Sequence, residues 1–393
     1  MRVIDQMLKN IFIASLVIIS IGATFFAQQA TPPKMERKKP PVEQDRDQKK
    51  DQKPDQKPQK TEDGETINLG ADLVSLNLTV TDPRGKRITN LKAADITVFD
   101  EDTKQKLEFF NTTEEPFHVV LMIDVSGSTQ QQVNLIKQAG RKFLEQLRPG
   151  DEIAIVSFAE SPTLECDFTS DRNKLERAIG KLTVPPPNQA GTSFYDSIRI
   201  LVQQILSTVE GRKAFVSVTD GVDSTSKASF DEVESFAAKA GATGYFIQVD
   251  TEEYTLGKVM KNHIEDGAVR FTSQQLQKYV SATPETADPA RFENSDKLSS
   301  LERREVNTKL YEIAREELKD LSEKTGGHVY PVDKLEDAPD ALKQIADEIR
   351  LEYSVGFYPK AEMRDGKWHN LRVEVKIPGA TVHTRPGYTA PRD

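Results

Sequence analysis

The stretch Val119-Val120-Leu121-Met122-Ile123-Asp124-Val125-Ser126-Gly127-Ser128 decides the fold. Its first five residues are an unbroken apolar run. A strand with one wet face alternates apolar and polar, whereas a continuous run marks a strand covered on both faces, as in a parallel sheet between helices. The run stops at Asp124 and gives way to small polar residues. A helical pattern follows over 130–147, with Val133, Ile136, Phe143 and Leu147 at helical spacing, and Pro149-Gly150-Asp151 closes it. The quoted stretch is therefore a buried strand that ends in a polar turn and feeds a helix.

The same unit recurs downstream. Buried strands are predicted at Ile153-Ala154-Ile155-Val156-Ser157-Phe158, Ala214-Phe215-Val216-Ser217-Val218-Thr219, Gly244-Tyr245-Phe246-Ile247-Gln248-Val249 and His328-Val329-Tyr330-Pro331-Val332. Helical patterns lie at 175–182, 194–206, 230–240, 310–324 and 338–350. Alternating strands and amphipathic helices predict an α/β fold, a doubly wound and mostly parallel sheet of Rossmann-like type, over 116–350. Residues 251–305 break the rhythm. They are charged, contain Pro284 and Pro289, and read as a helical or flexible insertion.

Outward from this body the pattern becomes β. Leu73-Val74-Ser75-Leu76-Asn77-Leu78-Thr79-Val80 alternates cleanly, as do Tyr353-Ser354-Val355-Gly356-Phe357-Tyr358 and Leu371-Arg372-Val373-Glu374-Val375-Lys376. A few short strands do not make a stable layer alone. The N-terminal β segment, 67–115, and the C-terminal one, 351–393, are expected to pack together as a β-sandwich-like unit.

At the N-terminus, 11–27 form an apolar run behind Arg2 and Lys9. Over 1–30 this predicts a signal peptide or a membrane anchor. Either delivers the rest outside the cytoplasm, so the expected location is periplasmic, envelope-anchored or secreted, with a possible membrane tether through 11–27. Residues 31–66 repeat Asp-Gln-Lys and carry prolines but almost no aliphatic side chain. Such a segment cannot offset its ordering entropy by burial and is expected to be a disordered linker.

The chain has 393 residues, 37% hydrophobic and 29% charged, with a net charge of -9. That balance gives no reason to expect nucleic acid as a partner. The single cysteine, Cys166, excludes an internal disulfide and a cysteine-built zinc site, and is expected to be a small, mostly buried core residue.

Asp124, Ser126 and Ser128 sit at the carboxyl end of the first buried strand, the edge where open α/β sheets bind ligands. Gly191-Thr192-Ser193 precedes a helix and Thr219-Asp220-Gly221 ends another buried strand, so both can converge there. Singly, Ser126 and Ser128 also suit helix N-caps, and Asp220-Gly221 an ordinary turn. Together they offer two carboxylates and three hydroxyls, all oxygen, which suits a hard divalent cation: Mg²⁺ first, Mn²⁺ or Ca²⁺ next. Neutral hydroxyls leave such a cation electrophilic and receptive to a carboxylate from outside.

Asp124-x-Ser126-x-Ser128, then Gly191-Thr192, then Thr219-Asp220-Gly221, resembles the metal-ion-dependent adhesion site of von Willebrand factor type A domains. The resemblance covers about 116–350 with all three elements in order. It implies a metal held by Asp124, Ser126, Ser128, Thr192 and Asp220, and a protein partner that completes the coordination with an Asp or Glu carboxylate. The flanks resemble, more loosely, bacterial proteins of this kind common in acidobacteria.

Enzyme signatures are missing. There is no Gly-x-Ser-x-Gly elbow, no phosphate-binding Walker loop and no His-Glu-x-x-His pair, and the five histidines are scattered. The expected function is thus non-catalytic: an exported, metal-dependent, adhesion-type binding module. The alternative is a structural or assembly component of an envelope or secretion complex; a metal-dependent hydrolase ranks third.

Overall fold

The computed structural model describes residues 36–37 and 73–392, apart from 113–115, 187–188, 210, 262–267 and 333–334. The expected signal peptide or membrane anchor, 1–30, lies outside the described residues. Among the described residues no helix is long and apolar enough to cross a membrane.

The quoted run forms β6 (His118–Asp124), in the middle of a seven-stranded sheet. Its neighbours are β7 (Glu152–Phe158) and β9 (Lys213–Thr219), both parallel to it, with Val119 opposite Ile153 and Ala214. Then β10 (Thr243–Val249) and β11 (Val329–Val332) continue the parallel sheet on one side. On the other side β8 (Pro162–Thr169) runs antiparallel to β7.

The continuous run now has a physical explanation. Val119, Leu121 and Ile123 point to one face, into a core with α1 (Val133–Leu144), α2 (Arg172–Lys181) and α8 (Ala338–Arg350). Val120 and Met122 point to the other, against α3 (Phe194–Gln204), α4 (Phe230–Lys239) and α7 (Ser300–Thr325). Both faces are covered, so each position is apolar, and each such side chain contributes about 1.5–3 kcal/mol by burial.

The flanks interleave. β2 (Val74–Thr81) lies between β12 (Tyr353–Phe357) and β14 (Thr381–Thr384), with β5 (Phe109–Asn111) beyond β12. A second sheet orders β15 (Gly387–Thr389), β13 (Trp368–Val375), β3 (Ile96–Asp100) and β4 (Thr103–Lys104). Leu76 sits opposite Val355, and Val98 opposite Val373, so each sheet takes strands from both ends of the chain. Leu76, Leu78, Val98, Val355, Phe357 and Tyr388 share one core.

The insertion is mainly helical. α5 (Glu252–Val259), α6 (Ser273–Ala282) and the first half of α7 bury Leu256, Val259, Phe271, Tyr279, Phe292, Val306 and Leu310 in a core of their own. α7 begins ten residues before the predicted start, at Ser300 rather than 310. The charged run Glu302-Arg303-Arg304-Glu305 hides its stripe, but Ser299 and Glu302 form a reciprocal capping box that fixes the start. Gly326 ends it in the left-handed region, φ 81.

Three further differences are local. β8 was not expected, because Glu165 and Asp167 break its apolar pattern; as an edge strand it needs only one buried face. Within the span expected to be linker, Glu36–Arg37 form β1, parallel to β8 at Thr163 and Leu164. An unpaired sheet edge offers N–H and C=O groups to any extended segment, which explains the pairing. Cys166 is half-buried on β8 and packs against the sheet core, less enclosed than expected.

Candidate metal centre

β6 and β9 are adjacent, and both end at the same edge of the sheet. Ile123 faces Val218, so Asp124 and the Thr219-Asp220 pair emerge side by side. Asp124 and Asp220 are 0% and 1% exposed, and among the described residues neither has a Lys, Arg or His ion-pair partner. Burial, and then repulsion from Asp220, push Asp124 up to about 7, against hydrogen bonds from Ser126 and Thr219 that lower it. Burial likewise raises Asp220, opposed by hydrogen bonds from Thr251 and Ser128. Two like charges out of water are costly unless something positive joins them.

The loop after Asp124 folds back on it. Asp124 Oδ1 accepts from the Ser126 N–H at 2.9 Å, and Thr129 Oγ1 donates to the Asp124 and Ser126 carbonyls at 3.0 and 3.1 Å. Ser126 Oγ and Ser128 Oγ lie 3.0 Å apart, and the Ser128 side chain reaches the Asp220 carboxylate. Neither serine caps α1, whose N-cap is Gln132. The N-cap alternative for these serines is thus excluded.

The turn after β9 is set by Gly221. Its φ is 78, and a Cβ there would sit 2.8 Å from Leu318 Cδ1, so only glycine fits. Asp220 Oδ1 accepts from the Val222 N–H at 3.0 Å, while Oδ2 accepts from Thr251 Oγ1 at 2.6 Å.

The third loop is drawn in through its backbone. The Gly127 N–H donates to the Ala190 carbonyl at 2.9 Å. The Thr192 N–H donates to Ser224 Oγ, and the Ser224 N–H to the Thr192 carbonyl, both at 2.8 Å. Asp196 and Asp223 brace this junction. Asp196 accepts from the Lys227 and Ala228 N–H groups at 2.8 and 3.2 Å. Asp223, raised to about 6 by burial, accepts from Ser226 Oγ at 2.5 Å and the Tyr195 N–H at 3.3 Å.

Asp124, Ser126, Ser128 and Asp220 are thus in hydrogen-bonded or electrostatic contact. Thr192 is buried and tied through its backbone to Ser224 on the loop after β9, while its own loop reaches the Asp124 loop through Ala190; among the described residues its hydroxyl bonds to none of the four. Residues that the sequence did not single out complete the cluster. Thr219 Oγ1 donates to Asp124 Oδ2 at 2.8 Å, and Thr129 and Thr251 act as described. The signal for Thr219 was present: it precedes Asp220 on the strand beside Asp124.

The donor set fits a divalent cation. Two buried carboxylates of like charge, with serine and threonine hydroxyls around them, supply hard oxygen and lack countercharge. Among the described residues no three His, Cys, Asp or Glu side chains gather to hold a metal, so oxygens beyond the two carboxylates would have to come from hydroxyls.

A family model described as von Willebrand factor type A domain matches residues 119–222, a span that contains all five candidate ligands. No curated protein matches the chain. Solved structures overlap it loosely. The conserved hypothetical protein BatB from Bacteroides thetaiotaomicron is 15% identical, over 59% of this chain and 97% of that one, with a TM-score of 0.39. A von Willebrand factor type A protein from Catenulispora acidiphila is 11% identical, over 84% and 76%, with a TM-score of 0.40. Proximal thread matrix protein 1 from the mussel byssus, with a zinc-occupied MIDAS motif, is 14% identical, over 63% and 48%, with a TM-score of 0.38. Overlaps this loose transfer no function. Residues 119–222 thus match the von Willebrand factor type A domain family, and the mostly parallel α/β sheet described above is consistent with that match.

Proposed function

We propose that this chain is an exported, metal-dependent protein-binding module. Asp124, Ser126, Ser128, Thr192 and Asp220 hold one divalent cation, Mg²⁺ by preference, and an Asp or Glu side chain of a partner protein completes its coordination. The observation that carries this reading is the pair of buried carboxylates, Asp124 and Asp220, which repel each other at the carboxyl edge of the sheet and, among the described residues, have no ion-pair partner.

When bound, the cation supplies an electrophilic centre that accepts an external carboxylate. The chain's own residues prepare the place. Thr219 and the Ser126 N–H hold Asp124, Gly221 turns the backbone, and the Gly127–Ala190 hydrogen bond brings the Thr192 loop in. The apolar 11–27 behind Arg2 and Lys9 supports export.

Calorimetric titration of the purified protein with Mg²⁺ and with Mn²⁺ tests the reading. One site per chain is expected, lost in Asp124→Ala. Heats that are absent, or unchanged in the variant, would overturn it.

A further inference from the structure

The insertion that interrupts the α/β rhythm does not stand apart from the candidate metal centre. Lys258 Nζ, on α5, donates to the Gly127 carbonyl at 3.1 Å, between Ser126 and Ser128. Thr272 Oγ1 donates to the Ser224 carbonyl at 2.9 Å, on the loop that holds Thr192. The shortest of these links is Thr251 Oγ1 to Asp220 Oδ2, at 2.6 Å.

Thr251 is unusual for its position. It is the N-cap of α5, where a threonine hydroxyl ordinarily accepts from an N–H of the first turn. Ser229, Thr272 and Ser299 do so for α4, α6 and α7, whereas Ser193, which precedes α3, turns its hydroxyl to the Ala159 carbonyl. The Thr251 side chain makes no such bond. Its hydroxyl is diverted to Asp220 instead. It is also held from behind: the Tyr311 hydroxyl, on α7, lies 2.7 Å from Thr251 Oγ1 and 2.8 Å from Thr255 Oγ1. Thr251 and Tyr311 are both buried, so this row of hydroxyls is shielded from competing water.

From this geometry we infer that Thr251 is a positioning residue of the cation site, a fourth structural element beside the three loops, with Tyr311 setting its orientation. The inference rests on the cation reading above. Asp220 has one oxygen fixed by the Val222 N–H and the other by Thr251. With both oxygens held, its carboxylate cannot rotate away from Asp124. Groups that orient a metal-binding carboxylate set affinity without touching the metal. The insertion thereby enters the site's construction, and metal binding and insertion docking become linked.

The test is Mn²⁺ alone, titrated calorimetrically into the full chain and its variants. Thr251→Val keeps the shape and removes the hydroxyl; it should weaken Mn²⁺ binding about 10–100-fold. Thr251→Ser, which restores the hydroxyl, should return affinity to the wild-type range. Tyr311→Phe, an independent probe should the valine variant fail to fold, should weaken binding in the same direction. Equal affinity in Thr251→Val or in Tyr311→Phe overturns the role of Thr251, as does a serine variant as weak as the valine one. A wild-type chain that takes up no Mn²⁺ overturns the cation reading itself, and this inference with it.

Discussion

Thr219 Oγ1 donates to Asp124 Oδ2 at 2.8 Å, and Thr219 Oγ1 itself accepts from the Gly221 N–H at 3.0 Å. One buried hydroxyl thus joins the ends of two neighbouring strands and shapes the turn that presents Asp220. Thr219→Val would leave the Asp124 oxygen and the Gly221 N–H without a partner. We expect a loss of about 1–3 kcal/mol, since an unsatisfied buried group costs its desolvation. Urea denaturation in EDTA checks it; a midpoint equal to that of the wild type would contradict the bond's importance.

Gly221→Ala places a side chain at φ 78 and brings a Cβ within 2.8 Å of Leu318 Cδ1. The left-handed strain alone costs about 1–3 kcal/mol. The variant should melt lower and also bind Mn²⁺ less well, because the turn aims Asp220. Thermal melts with and without Mn²⁺ read both effects. Normal cation binding in a destabilised variant would show that the turn serves only the fold.

The pH dependence of stability should carry the signature of Glu352. This buried carboxyl accepts from Tyr245 OH at 2.6 Å, and burial raises it from 4.5 to about 7. A raised carboxyl means that the folded state holds its proton more tightly than the unfolded one. The folded protein therefore binds more protons between pH 4.5 and 7, and stability falls as pH rises through that window. The full rise corresponds to about 3 kcal/mol. Glu352→Gln should flatten this slope in EDTA, when unfolding is measured at pH 5 and pH 8. A variant whose pH dependence matches the wild type would contradict it.

Arg385 joins the C-terminal β segment to the α/β body. It is 5% exposed, and its guanidinium donates to the Ala238 carbonyl and, at 2.6 Å, to the Ser75 carbonyl. Arg385→Met should cost about 1.5–3 kcal/mol, as expected for hydrogen bonds from a charged group. The Mg²⁺-dependent thermal shift should survive, because Arg385 is not part of the metal cluster. Loss of that shift would tie the β segment to the site in a way the structure does not suggest.

What the sequence made legible follows the physics of burial. β6, β7, β9 and β10 announced themselves because both faces are covered, and so every position is apolar. β2 and β13 showed the period of two because one face is less buried, whereas β12 alternates in sequence but is buried throughout. β8 escaped because an edge strand tolerates Glu165 and Asp167, and the start of α7 escaped because its stripe faces the insertion rather than the sheet. Asp124, Ser126, Ser128 and Asp220 stood out as short polar strings at strand ends, and Thr192 as part of a polar string before a helix. Thr129 and Thr251 were not, because a lone threonine carries no spacing pattern. Its role exists only once strand register and the insertion bring it against Asp124 or Asp220.

The central claim is that five side chains from three loops hold one divalent cation. A crystal of the protein soaked in Mn²⁺, with the anomalous signal of manganese recorded, tests it most directly. A single peak within bonding reach of the Asp124, Ser126 and Ser128 side chains, beside Thr192 and Asp220, is expected, and none in an Asp220→Ala crystal soaked alongside. No peak at that edge of the sheet, or a peak that persists in the variant, would contradict the account.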